Sequence, residues 1–440
     1  MKYIDSEKEF NNIFSKRLYE KIVKENSISL NISKSEYKQI LDNLFYKLVN
    51  YEYKPSPIVT KIFTYKTNNV ARILPVLNVE DELFYYFVCK MIEEEIAINR
   101  TPYTYGGWVL GNLIKLEEES EIDYVYKSFN PELWNKNWKA FQSIVKQETD
   151  ECEENAIILK LDIANFYDNI NLNILEKKIL SAVKSDKLEY VNMLMFFLKN
   201  WNLKNDKYQE KTVGIPQNQY GDQSRILANF YLQNYDSKIS KFCEKRNAKY
   251  IRYADDQIII INDINKENEI LYFICKELNN IGLNLNASKV GRYTKKEIQI
   301  FYGLDIFELL DENKYDEAID VFIKYKTNSE IRFNYSSSIK RILNIGLDKF
   351  NLSNRSLIKS IITEYQFLRE ANDYYMKKIY ENIEIKERET YINILMQISR
   401  ETVYNGFHYS LLKFLKKIKA DNDLILQVEY RIKEIEKIVE

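Results

Sequence analysis

The sequence predicts an α+β portion followed by an all-helical C-terminal portion. Three observations carry that expectation. Short apolar runs such as AIILKLDI (156–163) and KYIRYADDQIIIIND (249–263) are bounded by polar residues, as strands are. Between them lie longer stretches with apolar residues three and four apart, as in SRILANFYLQNYDSKISKF (224–242). Beyond about residue 308 only the second pattern continues, and the 440-residue chain has just 10 Gly and 6 Pro to break it.

Taken in order, residues 1–50 read as charged amphipathic helices, with Ile22, Ile28 and Leu41 among the apolar positions. YKPSP (53–57) ends that pattern, and KIFTYKTNNVARILPVL (61–77) reads as a hairpin turning at Thr67-Asn68-Asn69. A helix is expected from Glu80 to Ile98, then a loop-rich insert marked by TYGGW (104–108) and the acidic run 117–121. After the strand at 156–163, a helical segment fills 172–201, and GIPQNQYGD (214–222) is a loop. KYIRYADDQIIIIND reads as a strand, a two-residue Asp-Asp turn and a strand. ILYFICKELNNIGLNLN (270–286) is a helix closed by Gly282 at its C′ position. Ser336-Ser337-Ser338 supplies an N-cap cluster further on. Three domains are expected: 1–150, 151–307 and 308–440.

Composition excludes several classes. Lys and Arg total 64 against 65 Asp and Glu, so binding driven by a large positive charge is not expected. An acidic site set in a locally basic groove remains compatible with that balance. Cys89, Cys152, Cys243 and Cys275 form no CxxC pair and read as buried thiols of a reducing compartment. His408 is the sole histidine, which leaves almost no room for His-based metal sites or His-dependent triads. MKYIDSEKEF lacks the apolar core of a signal peptide, and no stretch approaches about 18 uncharged apolar residues. A soluble protein of the cytosol, without membrane contact, is the expectation.

Three aspartates stand out. Asp162 lies near the end of an apolar strand, and Asp255 and Asp256 sit at a hairpin tip followed by four isoleucines. Carboxylates at the ends of buried strands are costly unless their charge is offset. Two Mg²⁺ ions about 3.5–4 Å apart would offset it and steady a phosphate transition state. An isolated Asp-Asp between strands is more often a plain turn dipeptide.

Here it is not isolated. Tyr253-Ala254-Asp255-Asp256 resembles the YADD box of reverse transcriptases. LDIANFYDNI (161–170) is similar to that family's first palm motif, and GIPQ with SRILANFYL (214–232) to its second. GLNLNASK (282–289) resembles the fourth, and FYGLDI (301–306) the strand pair that grips the primer. The matches run in family order along the chain. The resemblance implies a right-hand fold of fingers and palm, with an antiparallel palm sheet carrying the YADD hairpin and an all-α thumb or C-terminal domain.

The same resemblance implies roles. Asp162, Asp255 and Asp256 would hold the two metal ions (Mg²⁺, with Mn²⁺ as a substitute), Asp162 and Asp255 binding both, and the Ile163 carbonyl would complete a metal shell. Tyr167 falls at the steric-gate position, implying deoxynucleotide substrates, while Phe166 and Asp168 are structural. Gln217 matches a glutamine near the incoming nucleotide, and Lys289 a lysine that protonates departing pyrophosphate. Lys66 and Arg72, on the finger hairpin, match cationic contacts to the triphosphate. Lys61 competes with Lys66 for that role.

The family usually has glycine soon after Pro-Gln, whereas Asn218 stands here and the run to Ser224 is longer. That loop meets the template, so the source of sequence information stays open. A finger and palm core with a helical C-terminal region resembles bacterial abortive-infection and defence-associated reverse transcriptases. Their likeness implies antiphage defence, an RNA template or noncoding RNA, a DNA product, and an accessory protein or homo-oligomer. Synthesis would start from a 3′ end or a protein hydroxyl, Tyr404 and Tyr409 being candidates, with or without a template. Two alternatives stand beside it: a retron or mobile-element enzyme, and a catalytically silent scaffold binding RNA or a partner. Trp108, Trp134 and Trp138 offer stacking surfaces, although a pair four apart is more often core. The basic run FLKKIKA (414–420) is more often a solvated helix face than a nucleic-acid track.

Overall fold

The computed structural model describes residues 10, 13–14, 33–66, 70–97, 100–107, 110, 131–202, 214–217 and 222–439. The turn Thr67-Asn68-Asn69, Ile22, Ile28, Trp108, the acidic run 117–121, Asn218 and the Trp134 side chain lie outside the described residues. Two compact units are present. The first takes Met1–Asn26, Asn31–Thr60 and Pro75–Lys296, and the second Ser27–Leu30, Lys61–Leu74 and Glu297–Glu440.

The first unit is built on a five-stranded sheet of order β3-β5-β6-β4-β7. Its strands are β3 (Thr104–Tyr105), β4 (Ile157–Asp162), β5 (Ala248–Tyr253), β6 (Asp256–Ile261) and β7 (Gly291–Tyr293). β4 pairs antiparallel with β6 and β7, β5 pairs antiparallel with β6, and only β3 runs parallel to its neighbour β5. Part of TYGGW, expected as loop, therefore forms an edge strand. β6 occupies the centre, and its run Ile258–Ile261 is buried throughout, as a strand covered on both faces must be. Helices Pro131–Glu151 and Asp222–Glu244 pack against β5.

Local signals set the flanking helices. Helix Lys34–Val49 starts at a capping box of Ser33 and Glu36. Helix Leu172–Ala182 starts at Asn171, whose side chain accepts from the N–H groups of Asn173 and Ile174. After helix Glu267–Asn279, the Gly282 N–H bonds the Asn279 carbonyl and the Leu283 N–H that of Leu278. This is a Schellman closure with Gly282 at φ +75, as expected of a C′ glycine.

In the second unit, hairpin strands β1 (Thr60–Lys66) and β2 (Val70–Val76) are tied to the start of helix Asn405–Lys417. The Phe63 N–H donates to Asn405 Oδ1 at 2.7 Å, and Asn405 Nδ2 to the Lys61 carbonyl at 2.9 Å. A Cβ on Gly406 would press on Phe63 O and Thr64, so only glycine permits this approach. From Lys295 to Val439 the described chain is helical, with turns and short 3₁₀ segments between.

Two expectations are corrected here. FYGLDI does not form strands: helices Lys295–Tyr302 and Leu304–Asp311 meet at Gly303, in the left-handed region at φ +63. Ile298, Tyr302, Ile306 and Leu310, at a spacing of four, are all buried, and that helical period overrides the aromatic, strand-like look of the six residues. The four cysteines are free, but Cys275 is exposed and only Cys89 and Cys243 are fully buried. His408 is structural. Its ring nitrogens lie 2.9 Å from the carbonyls of Tyr404 and Ser399, and burial holds its pKa below the usual histidine value. Among the described residues, no helix is long and apolar enough to cross a membrane.

Candidate active site

The β4–β6 register sets Asp162 directly opposite Asp256, and the β5–β6 register sets Tyr253 opposite Asp256. The two-residue turn is therefore Ala254-Asp255, one residue earlier than the expected Asp-Asp turn, with Asp256 the first residue of β6. Ala254 takes the first turn position at φ +52, a conformation that costs a residue with a Cβ. Its N–H donates to Tyr105 O at 3.1 Å, and its carbonyl accepts from Arg252 Nη1 at 2.8 Å. Gly106 lies so close that a Cβ there would come within 3.1 Å of Ala254 N. Contacts from outside the turn thus over-determine it, as a strained functional turn requires.

Asp162 is buried, and its carboxylate accepts from Lys289 Nζ at 2.7 Å and from Asn286 Nδ2 at 3.3 Å. The Asn286 N–H also bonds the Asp162 carbonyl at 2.8 Å, which ties the segment before β7 to the end of β4. Asp256 accepts from Lys160 Nζ at 2.5 Å. The Ile163 N–H donates to the Asp255 carbonyl at 3.3 Å, so its backbone runs beside the turn. Burial, reinforced by the charges of Asp256 and Asp162, pushes the Asp255 carboxyl up to about 6.

Tyr167 leans edge-on against buried Phe166 at 5.6 Å between ring centres. Its carbonyl accepts from the Ile215 N–H at 3.1 Å. Gly214, at φ +72, makes that contact possible, because a Cβ there would collide with the backbone of Tyr167 and Asp168. Burial raises the Asp168 carboxyl above the ordinary aspartate range. The segment ahead of Gln217 is pinned again where Ser224 Oγ donates to Pro216 O at 2.5 Å. Trp138 packs on Phe141 and edge-on against Tyr253, which makes it part of the wall behind the hairpin.

The structure therefore brings Asp162, Ile163, Asp255, Asp256 and Lys289 together, and clamps Gly214 to Tyr167. Lys66 and Arg72 belong to the other compact unit, where both are exposed on the β1–β2 hairpin. Tyr409 donates to Glu436 at 2.7 Å, and Tyr404 packs edge-on against Tyr65. Sequence reasoning missed Lys160, Asn286, Arg252 and Asp236. Lys160 carried a usable signal, since strand alternation puts it on the same face as Asp162.

No group of three His, Cys, Asp or Glu side chains among the described residues is gathered tightly enough to hold a metal ion. Lys160 and Lys289 each hold one of the carboxylates. The donors are nonetheless all oxygen, in register and mutually repelling, which is the chemistry that suits a hard divalent cation.

A sheet that presents paired strand-end carboxylates beside a constrained hairpin turn defines a polymerase-like palm. Residues 120–306 match the family model "Reverse transcriptase (RNA-dependent DNA polymerase)". It is 28% identical over 116 residues to the Retron Ec83 reverse transcriptase of Escherichia coli, a match covering 25% of this chain. The chain spans about a third of that curated relative's length (34%). Solved structures of telomerase are loosely similar in fold. The apo enzyme of Candida Tropicalis gives a TM-score of 0.36 at 12% identity, over 90% of this chain and 72% of that one. Telomerase of Candida albicans with a TWJ fragment of telomeric RNA gives 0.35 at 11%, over 91% and 68%.

Proposed function

We propose that this chain is a reverse-transcriptase-type DNA polymerase that adds deoxynucleotides to a 3′ end or a protein hydroxyl. The observation that carries the reading is the register of Asp162 with Asp256, with Asp255 raised to about 6 on the adjoining turn. Asp162 and Asp255, with the Ile163 carbonyl, would hold divalent ions, Mg²⁺ in the first place. Ions bound there would activate the attacking hydroxyl and neutralise charge on the α-phosphate. Tyr167 would lie beneath the sugar and exclude a 2′-hydroxyl, Gln217 would line the nucleotide site, and Lys289 would give a proton to departing pyrophosphate. Lys66 and Arg72 would contact the triphosphate from the hairpin.

Purified protein with Mg²⁺, labelled dNTPs and an RNA template tests the reading, run alongside a template-free reaction. Incorporation by the wild type and none by Asp255→Ala is the expected result. Equal, background incorporation by both would overturn it. A role in antiphage defence, with RNA and an accessory protein or second copy as partners, rests on the finger and palm core joined to a helical C-terminal region. Phage challenge of cells carrying wild type or Asp255→Ala tests that role.

A second reading is a retron-type enzyme, favoured by the match to the Retron Ec83 reverse transcriptase. A structured RNA that co-purifies with the chain and is copied in part into DNA would support it.

A further inference from the structure

We infer that Lys160 is the standing counter-ion of Asp256 and keeps that carboxylate out of the set that holds divalent ions. The inference rests on the polymerase reading above, and it leaves Asp162 and Asp255 as the two ion-binding side chains.

The strand geometry comes first. Alternation along β4 puts Lys160 and Asp162 on one face, and the register sets Ile258 and Asp256 opposite them on β6. Lys160 and Asp256 are therefore diagonal cross-strand neighbours, about 7–8 Å apart at the backbone and within reach of a lysine. The Nζ–Oδ1 distance is 2.5 Å. On its other side Lys160 faces Gly291 of β7, where the Tyr293 ring takes the place a Cβ on Gly291 would need. Strands on both sides fix the Lys160 backbone.

Exposure separates the two lysines. The Lys160 side chain is 14% exposed, and that of Lys289 is 43% exposed on the short turn Ala287–Lys289. Withdrawing Asp256 toward a metal ion would strand an ammonium in a largely buried position, which costs more than breaking an exposed pair. Lys289 is instead released when Asp162 is claimed, its exposed ammonium staying hydrated and available to the phosphates of a nucleotide. Asp256 thus stays neutralised by the chain itself, while Asp162 exchanges one cation for another. Lys160 acts through Asp256 and is a positioning residue.

Mn²⁺ binding to the full chain without nucleotide, read by the loss of the free-ion EPR signal, tests this apart from turnover. Asp162→Asn and Asp255→Asn are expected to weaken binding by about tenfold or more, as loss of one of two charged ligands would. Asp256→Asn removes no ligand but leaves the Lys160 ammonium uncompensated, so a loss of about two- to fivefold, clearly smaller than that of Asp255→Asn, is expected. Lys160→Met should tighten binding several-fold by freeing Asp256, Lys160→Arg should behave as wild type, and Asp256→Asn added to Lys160→Met should erase the gain. Circular dichroism of each variant confirms folding. An Asp256→Asn loss as large as that of Asp255→Asn would overturn the inference, as would a Lys160→Met variant that binds no tighter. Unchanged binding in all three aspartate variants would instead overturn the ion-binding reading of the site.

Discussion

Arg252 donates from Nε and Nη2 to the two carboxylate oxygens of Asp236, at 2.8 and 2.6 Å, and neither side chain reaches solvent. The remaining guanidinium nitrogen, Nη1, reaches both Asn229 Oδ1 and the Ala254 carbonyl, each at 2.8 Å. Tyr250 adds a hydroxyl to Asp236 at 2.7 Å. One buried pair thus joins helix Asp222–Glu244 to the turn that presents Asp255.

Removing one partner of such a pair leaves a buried charge uncompensated, which typically costs about 3–5 kcal/mol. Arg252→Met is expected to lose stability on that scale, measured by urea unfolding. Lys416→Met, which breaks an exposed pair with Glu429, should lose no more than about 1 kcal/mol. Equal, small losses in both would show that the Arg252–Asp236 pair is not what holds the turn.

Gly214→Ala tests the clamp on Tyr167. The substitution forces a Cβ into the Tyr167 and Asp168 backbone at a positive φ, so a cost of about 1–3 kcal/mol is expected. The displaced tyrosine should also raise the KM for dNTP more than it lowers kcat. A thermal melt and a dNTP titration read the two effects. A KM equal to wild type would show that the Gly214 contact does not reach the nucleotide site.

The sheet and its aspartates were legible because their signals are local. Four successive isoleucines after Asp-Asp can only be a buried strand or helix, and the polar residues around them settle which. The exact turn was not legible, since Ala254 is held at φ +52 by Tyr105 O and Arg252, both contributed from outside the turn. FYGLDI misled because six residues rich in aromatics and β-branched types fit a strand until Ile298 and Leu310 are counted with them. Lys160 was readable in principle from its two-residue spacing to Asp162, but its partner depended on the β4–β6 register. The hairpin at 61–77 was legible as a hairpin, whereas its seat on Asn405 joins segments more than 300 residues apart.

Tyr167→Val tests substrate choice. If the ring excludes a ribose 2′-hydroxyl, shortening it should raise the relative kcat/KM for rNTP over dNTP by about tenfold or more, each 1.4 kcal/mol of lost clash being tenfold. Primer extension with matched dNTP and rNTP concentrations reads the ratio. No change in that ratio would remove Tyr167 from the role of gate.

Asp81 makes stability depend on pH. Its carboxylate is buried, accepting from Tyr53 Oη at 2.6 Å and from the Ser56 N–H at 2.9 Å. Burial outweighs those donors and pushes it up to about 6. A carboxyl raised in the folded state binds its proton more tightly there than in the unfolded chain. Its stabilising effect is therefore full below the unfolded value near 4 and is lost as pH rises through about 6, a difference of roughly 3 kcal/mol. Asp81→Asn cannot titrate and keeps a neutral side chain of the same shape. Relative to wild type, this variant should gain roughly 3 kcal/mol between pH 4 and pH 7, read from urea midpoints at each pH. A constant difference between the two proteins across that range would mean that Asp81 titrates no differently in the folded and unfolded chains.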